Sequence, residues 1–196
     1  LHFAAGRAQD TLTRAEQMRL ATEWGYKGTS AQIPVEQFMQ DYFRHATGIA
    51  RIARRFTELQ RPKSLTSVCL ESVMAHRADG IFQVGQQQLN ASSAVRKRYS
   101  PTLEDILKIF ELATLYQVRL SPTLEEFVRE QVQQADETLT PEASRTFMTI
   151  LGSAGTLGVT LRQMYETGLL EKVIPQFRHA NCLMQFNQYH HYTVDE

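Results

Sequence analysis

From Pro34 onward, apolar residues recur at Val35, Phe38, Met39, Tyr42, Ala46, Ile49, Ala50, Ala53 and Phe56. That spacing follows one face of a helix with 3.6 residues per turn; a strand, whose side chains alternate with period two, cannot gather the same positions. Pro34 suits a first helical turn, where its missing N–H leaves no bond unmade, and Pro62 sets the outer limit. At 1.5 Å per residue the predicted helix is about 40 Å long, enough for the spine of a bundle. A chain built around such an element is expected to be all-α.

The flanking signals agree. Thr13-Arg14-Ala15-Glu16 has the spacing of a capping box, so a helix should run from there to Trp24, with Gly25 ending it. Ser100-Pro101-Thr102-Leu103-Glu104 and Ser121-Pro122-Thr123-Leu124-Glu125 are the same five residues, each predicting a Ser-capped helix with Pro in its first turn. Thr140-Pro141 opens another, through Phe147 and Leu151. After glycines 152, 155 and 158 a helix resumes with Leu161, Met164 and Tyr165 on its face; Gly168 ends it, and Pro175 closes the segment Leu169 to Ile174. Residues 64–77 fit one more helix. Asp79-Gly80 is a turn signal, and Ile81 to Leu89, centred on Val84 and Gly85, predicts a small β-hairpin that must pack on helices. The expected fold is a bundle of about seven helices with one such hairpin.

Composition narrows the function. With 21 Lys plus Arg against 21 Asp plus Glu, no charge excess exists to drive counterion release, and nucleic acid is excluded as an expected partner. Arg44, Arg51, Arg54, Arg55, Arg61 and Lys63 form a local basic stretch whose spacing reads as a solvated helix face. Cys69 and Cys182 lie in apolar stretches, as buried thiols of a reducing compartment do, and the cytoplasm is the expected location. No run approaches the roughly 18 apolar residues of a membrane span. Leu1-His2-Phe3 at one end and Asp195-Glu196 at the other read as an internal segment of a longer polypeptide.

Chemistry-bearing motifs are few. Gly152-Ser153-Ala154-Gly155-Thr156-Leu157-Gly158 lacks the Gly-Lys-Ser/Thr ending of a phosphate loop and reads as a tight turn between helices. No nucleophile elbow, His-Glu-x-x-His helix or paired-Cys motif occurs. His2, His45, His76 and His179 stand alone, as packed or solvated side chains. Only Tyr189-His190-His191-Tyr192-Thr193-Val194-Asp195-Glu196 concentrates ligand types for a divalent metal, and it needs further ligands from elsewhere.

The opening Leu1-His2-Phe3-Ala4-Ala5-Gly6-Arg7-Ala8-Gln9-Asp10-Thr11-Leu12, with Gln17, Gly25-Tyr26 and Val35 to Arg44, resembles the helical stretch that follows the catalytic palm of PII uridylyltransferases. Phe147 to Leu151, Leu161 to Met164, Gly168 to Leu170 and Ile174 to Phe177 follow in that family's order, before Tyr192-Thr193-Val194-Asp195-Glu196. The matches cover the two ends; the middle is similar only in helical pattern. The resemblance implies a helical domain over residues 1–188 and the start of an HD phosphohydrolase domain at 189–196. It implies an enzyme that transfers UMP from UTP to the PII protein with Mg²⁺ and removes it again, glutamine favouring removal. By the same resemblance Arg7 and Asp10 support the nucleotide side, His190 lies beside the metal centre, and no complete catalytic or metal site falls within the chain. The alternatives are a non-catalytic helical interaction module, or a segment of a signalling nucleotidyltransferase or glutamine synthetase adenylyltransferase.

Overall fold

The computed structural model describes residues 11–60, 76–78, 80–136, 138–186 and 193. They fall into two compact units, those within residues 1–60 and 176–196 and those within 61–175.

The first unit is built on α1 (Arg14–Glu23) and α2 (Pro34–Gln60). The expected capping box starts α1: the Glu16 carboxylate accepts from the Thr13 backbone N–H at 3.1 Å and from its hydroxyl at 2.8 Å. Trp24 caps the other end, and Gly25 follows at φ +76°, the left-handed conformation that ends helices at low cost. Leu20 and Ala21 of α1 bury against Val35, Phe38 and Met39 of α2. Between the helices, Gly28 sits at φ +73°, where a Cβ would lie 2.7 Å from the Gln32 carbonyl oxygen; only glycine fits that turn. The unit is completed by α9 (Phe177–Ala180) and residues 181–186 after it.

In the second unit, β1 (His76–Ala78), β2 (Phe82–Val84) and β3 (Gln88–Ala91) form successive antiparallel pairs, with registers Ala78↔Phe82 and Val84↔Leu89. The expected hairpin is therefore present and gains a strand on each side. Helices α3 (Ser93–Arg98) and α4 (Leu103–Leu115) then lead to β4 (Arg119–Leu120), which pairs with β3 in parallel, Leu89 beside Leu120. A parallel partner needs such a crossover connection. Helices α5 (Pro122–Gln134), α6 (Pro141–Leu151), α7 (Leu157–Glu166) and α8 (Leu169–Val173) follow.

The hub is α4. Its buried residues Leu103, Ile106, Leu107, Ile109, Phe110, Ala113 and Thr114 cover more than one stripe, as expected of a helix with neighbours on several sides. It packs against α6, α7, α5 and β4. Leu124 and Val128 of α5, Ile150 of α6, Met164 of α7 and Leu169 of α8 complete the core.

Three expectations change in detail. The described residues hold nine helices, because α3 and α9 bury no side chain and so carry no apolar period to read. Of the helix expected over 64–77, His76 and Arg77 lie in β1, and the remainder falls outside the described residues. The two identical pentapeptides also start their helices in different registers. Ser121 caps α5 with Pro122 at its first position, whereas Thr102 caps α4 in a box with Asp105, and Ser100-Pro101 precede the helix. The difference comes from the sheet: β4 delivers Ser121 extended, its N–H bonded to the Leu89 carbonyl at 2.9 Å.

Candidate functional site

Arg7, Asp10 and His190, together with His2, Arg61, Lys63 and Cys69, lie outside the described residues. His45 and His179 are exposed, and Arg44 pairs with Asp41 of its own helix at 3.0 Å. Cys182 is buried, as its apolar surroundings suggested. The glycine-rich stretch is the turn from α6 to α7, whose cap Thr156 makes no side-chain bond to the helix end. Among the described residues no helix is long and apolar enough to cross a membrane, and no group of three or more His, Cys, Asp or Glu gathers as a metal site.

What the fold does bring together is the beginning and the end of the first unit. Leu12, before α1, and Met184 and Phe186, after α9, pack on the same Leu20–Ala21–Val35–Phe38–Met39 core. Three polar contacts strap the later segment down. Gln40, buried on α2, donates from Nε2 to the carbonyls of Asn181 at 2.8 Å and His179 at 3.4 Å. Its Oε1 accepts from Gln32 Nε2 at 3.0 Å, so the amide is used on both sides. Glu36 accepts from the Phe186 N–H at 3.0 Å through one oxygen and from the Ile33 N–H at 3.1 Å through the other. The Arg14 guanidinium lies 4.6 Å above the Phe186 ring, a cation–π contact.

An aromatic cluster braces this arrangement. Trp24 and Tyr26 each meet Phe38 edge-on at 5.6 Å between ring centres. The Tyr26 hydroxyl donates to Asp41 at 3.1 Å. Burial first, and then the hydrogen bond and negative charge of Asp41, push the Tyr26 hydroxyl above its ordinary value of 10.0.

The second unit has its own polar clamp. Gln163 of α7 accepts from the Leu120 N–H at 3.1 Å and donates to the Leu120 carbonyl at 3.3 Å and to Glu125 at 3.2 Å, closing the free edge of β4. Arg129 of α5 pairs with Glu125 at 3.1 Å and with Glu126, and its Nε reaches the Glu166 carbonyl at 3.1 Å. These groups satisfy one another and read as structural. Between α4 and α6 an open cleft of about 310 Å³ is lined by Lys108, Glu111, Leu115, Thr149 and Ser153, among others. Its Lys108 is engaged with Glu104 at 2.6 Å, which holds the Glu104 carboxyl below its usual range.

Glu36, Gln40 and Gln163 stood in the sequence only within the stretches that carry the family resemblance, with no strapping role expected of them. The available signal was a glutamine or glutamate inside an apolar helical face: Gln40 directly follows Met39, and Gln163 precedes Met164. Which carbonyls they bind depends on segments distant along the chain.

Residues 1–57 match the model of the GlnD PII-uridylyltransferase family. Over its whole length the chain is 33% identical to the bifunctional uridylyltransferase/uridylyl-removing enzyme of Cereibacter sphaeroides and 32% identical to that of Ruegeria pomeroyi. To the enzyme of the same description from Azospirillum brasilense it is 29% identical. The alignments take in 100% of this chain but 21%, 22% and 22% of those proteins, so the chain spans about a fifth of the length of the curated relatives it matches. No solved structure matches it significantly. The helical chain described above is thus homologous, from end to end, to a segment of the bifunctional uridylyltransferase/uridylyl-removing enzymes.

Proposed function

We propose that this chain is the helical connector of a bifunctional uridylyltransferase/uridylyl-removing enzyme of the cytoplasm. An upstream nucleotidyltransferase domain moves UMP from UTP to the PII protein with Mg²⁺, and a downstream HD domain, beginning near residue 189, removes it under the influence of glutamine. Arg7 and Asp10 support the nucleotide side, and His190 stands beside the hydrolase metal.

The observation that carries this reading is the core shared by Leu12 and Phe186. The segment that enters the first unit and the segment that leaves it are held by the same side chains. A displacement of one is therefore transmitted to the other through packed and hydrogen-bonded groups, the physical requirement for coupling two flanking domains. Residues 61–175 form the second compact unit, inserted in the sequence between the two parts of the first.

The test uses the full-length protein. Gln40→Ala loosens the strap without touching either catalytic centre, so each domain should keep its maximal rate while the glutamine dependence of transfer and removal flattens. An unchanged glutamine response, in a variant whose strap has demonstrably opened by hydrogen exchange, removes the coupling role. For the nucleotide-side residues, uridylylation at the wild-type rate by both Arg7→Ala and Asp10→Ala removes their assignment.

A further inference from the structure

Helices α4 and α6 lie side by side and point the same way. At their starts the hydroxyl of Thr140, which caps α6, donates to Glu104 in the first turn of α4 at 3.3 Å. Towards their ends Lys108, Leu112 and Leu115 face Thr149, Ile150 and Ser153 across the cleft of about 310 Å³. Parallel helices bring like ends of their dipoles together. Glu104 and Asp105 on α4 and Glu142 on α6 answer the two positive ends with acids. No base answers the negative ends, because neither helix has a basic residue in its last turn.

The lining of the cleft supplies an independent observation. Glu111 is partly buried there and has no hydrogen bond or ion pair among the described residues. Lys108, one turn earlier, is taken by Glu104 at 2.6 Å. The Thr149 hydroxyl donates to the Arg145 carbonyl and the Ser153 hydroxyl to the Thr149 carbonyl, each at 3.1 Å, so both oxygens are left as acceptors. An occupant must therefore bring donors, and positive charge suits both the carboxylate and the helix ends. Leu112, Leu115 and Ile150 offer apolar wall beside these acceptors, and Leu115 is 72% exposed. An ammonium or guanidinium on an alkyl stem meets both demands, whereas an anionic lipid or a nucleic acid would be repelled.

Strength selects the source of that cation. The cleft is open, and a partly exposed ion pair shifts an equilibrium by roughly fivefold at most, too little to hold a free amine from dilute solution. A side chain tethered in the same polypeptide has an effective concentration on the order of millimolar and needs no more than such a contact. The curated relatives have nearly four fifths of their length outside the matched segment, which is ample chain to supply one.

We infer that the cleft between α4 and α6 receives a lysine or arginine side chain from the rest of the same polypeptide, its charged head against Glu111 and the two helix ends. The inference rests on the reading of the chain as part of a longer enzyme, but not on which reaction that enzyme performs. A photoreactive phenylalanine analogue replaces Leu115 in the full-length protein, and the cross-linked peptides are identified by mass spectrometry. The expected adduct lies within one polypeptide, outside the segment described here, beside a Lys or Arg. A product of two joined copies, or adducts confined to neighbouring residues of α4 and α6, would each overturn it. So would calorimetric binding of n-butylammonium to the same protein with a Kd below about 1 mM, since the cleft would then be open to a free amine.

Charge reversal supplies the second arm. Glu111→Lys breaks no contact among the described residues, so helix content by circular dichroism should be kept while cross-linking from position 115 falls roughly tenfold, the scale of a charge pair turned from attractive to repulsive. Replacing the cross-linked base by Glu in the same variant should restore the adduct, which a merely structural role of Glu111 would not do. Undiminished cross-linking in Glu111→Lys, or no recovery in the reciprocal swap, overturns the site. Uridylyl transfer is measured separately. Its absence beside an intact cross-link would count against the proposed activity and leave the cation site standing.

Discussion

Gln40 Nε2 donates to the carbonyl oxygen of Asn181 at 2.8 Å, across 141 positions of sequence. Removing a buried partner leaves backbone carbonyls without a donor, at a cost of about 1–3 kcal/mol. Gln40→Ala should lower the stability of the first unit by that amount in urea unfolding. Gln40→Glu should be worse than alanine, since it places carboxylate oxygens against the carbonyls of His179 and Asn181.

Gly28 and Gly25 both have positive φ, yet their surroundings differ. A Cβ at Gly28 meets the Gln32 carbonyl at 2.7 Å and the Pro34 ring at 3.1 Å, whereas at Gly25 it meets nothing within 4 Å. Gly25→Ala should therefore cost only the left-handed penalty, about 1–2 kcal/mol. Gly28→Ala adds a backbone clash and should show the larger fall in melting temperature.

Gln163 satisfies both backbone groups of Leu120 and one oxygen of Glu125. Gln163→Leu is close in size but bonds none of them, and a loss of about 2–3 kcal/mol is expected in chemical denaturation. Amide exchange at Leu120 should accelerate in the same variant, localising the loss to the edge of β4.

The Tyr26 hydroxyl is raised above 10.0 by its burial and by Asp41. A raised folded-state value means that its stabilising contribution is complete below the unfolded value and is lost as pH rises through the folded one. Thermal melts as the pH is raised beyond about 10 should show the native chain losing this contribution, while Tyr26→Phe, which cannot ionise, shows a shallower decline. Parallel curves would mean that Tyr26 does not titrate with folding.

Helix positions with an apolar period were legible from the residues alone: Pro34–Gln60, Arg14–Glu23 and Pro141–Leu151 begin where Pro34, Thr13 and Thr140 indicate. The turn at Gly80 and the hairpin after it were legible too, since Gly80 supplies the φ of +66° that the turn demands. The short helices at 93–98 and 177–180 were not, because neither buries a side chain. The strap was silent for a different reason. Gln40 and Glu36 look like ordinary polar residues of a helix until residues 179–186 return to them.

Sequence by itself determined the helical class, the spine of α2 and most helix starts, because capping and periodicity act within a few residues of one another. Tertiary structure decided what identical local signals became. Ser-Pro-Thr-Leu-Glu begins a helix at Ser121 in one copy and is capped at Thr102 in the other, according to whether a paired strand delivers it. It also decided that Leu12 and Phe186 share a core, since a contact between distant segments depends on the path of all the chain between them.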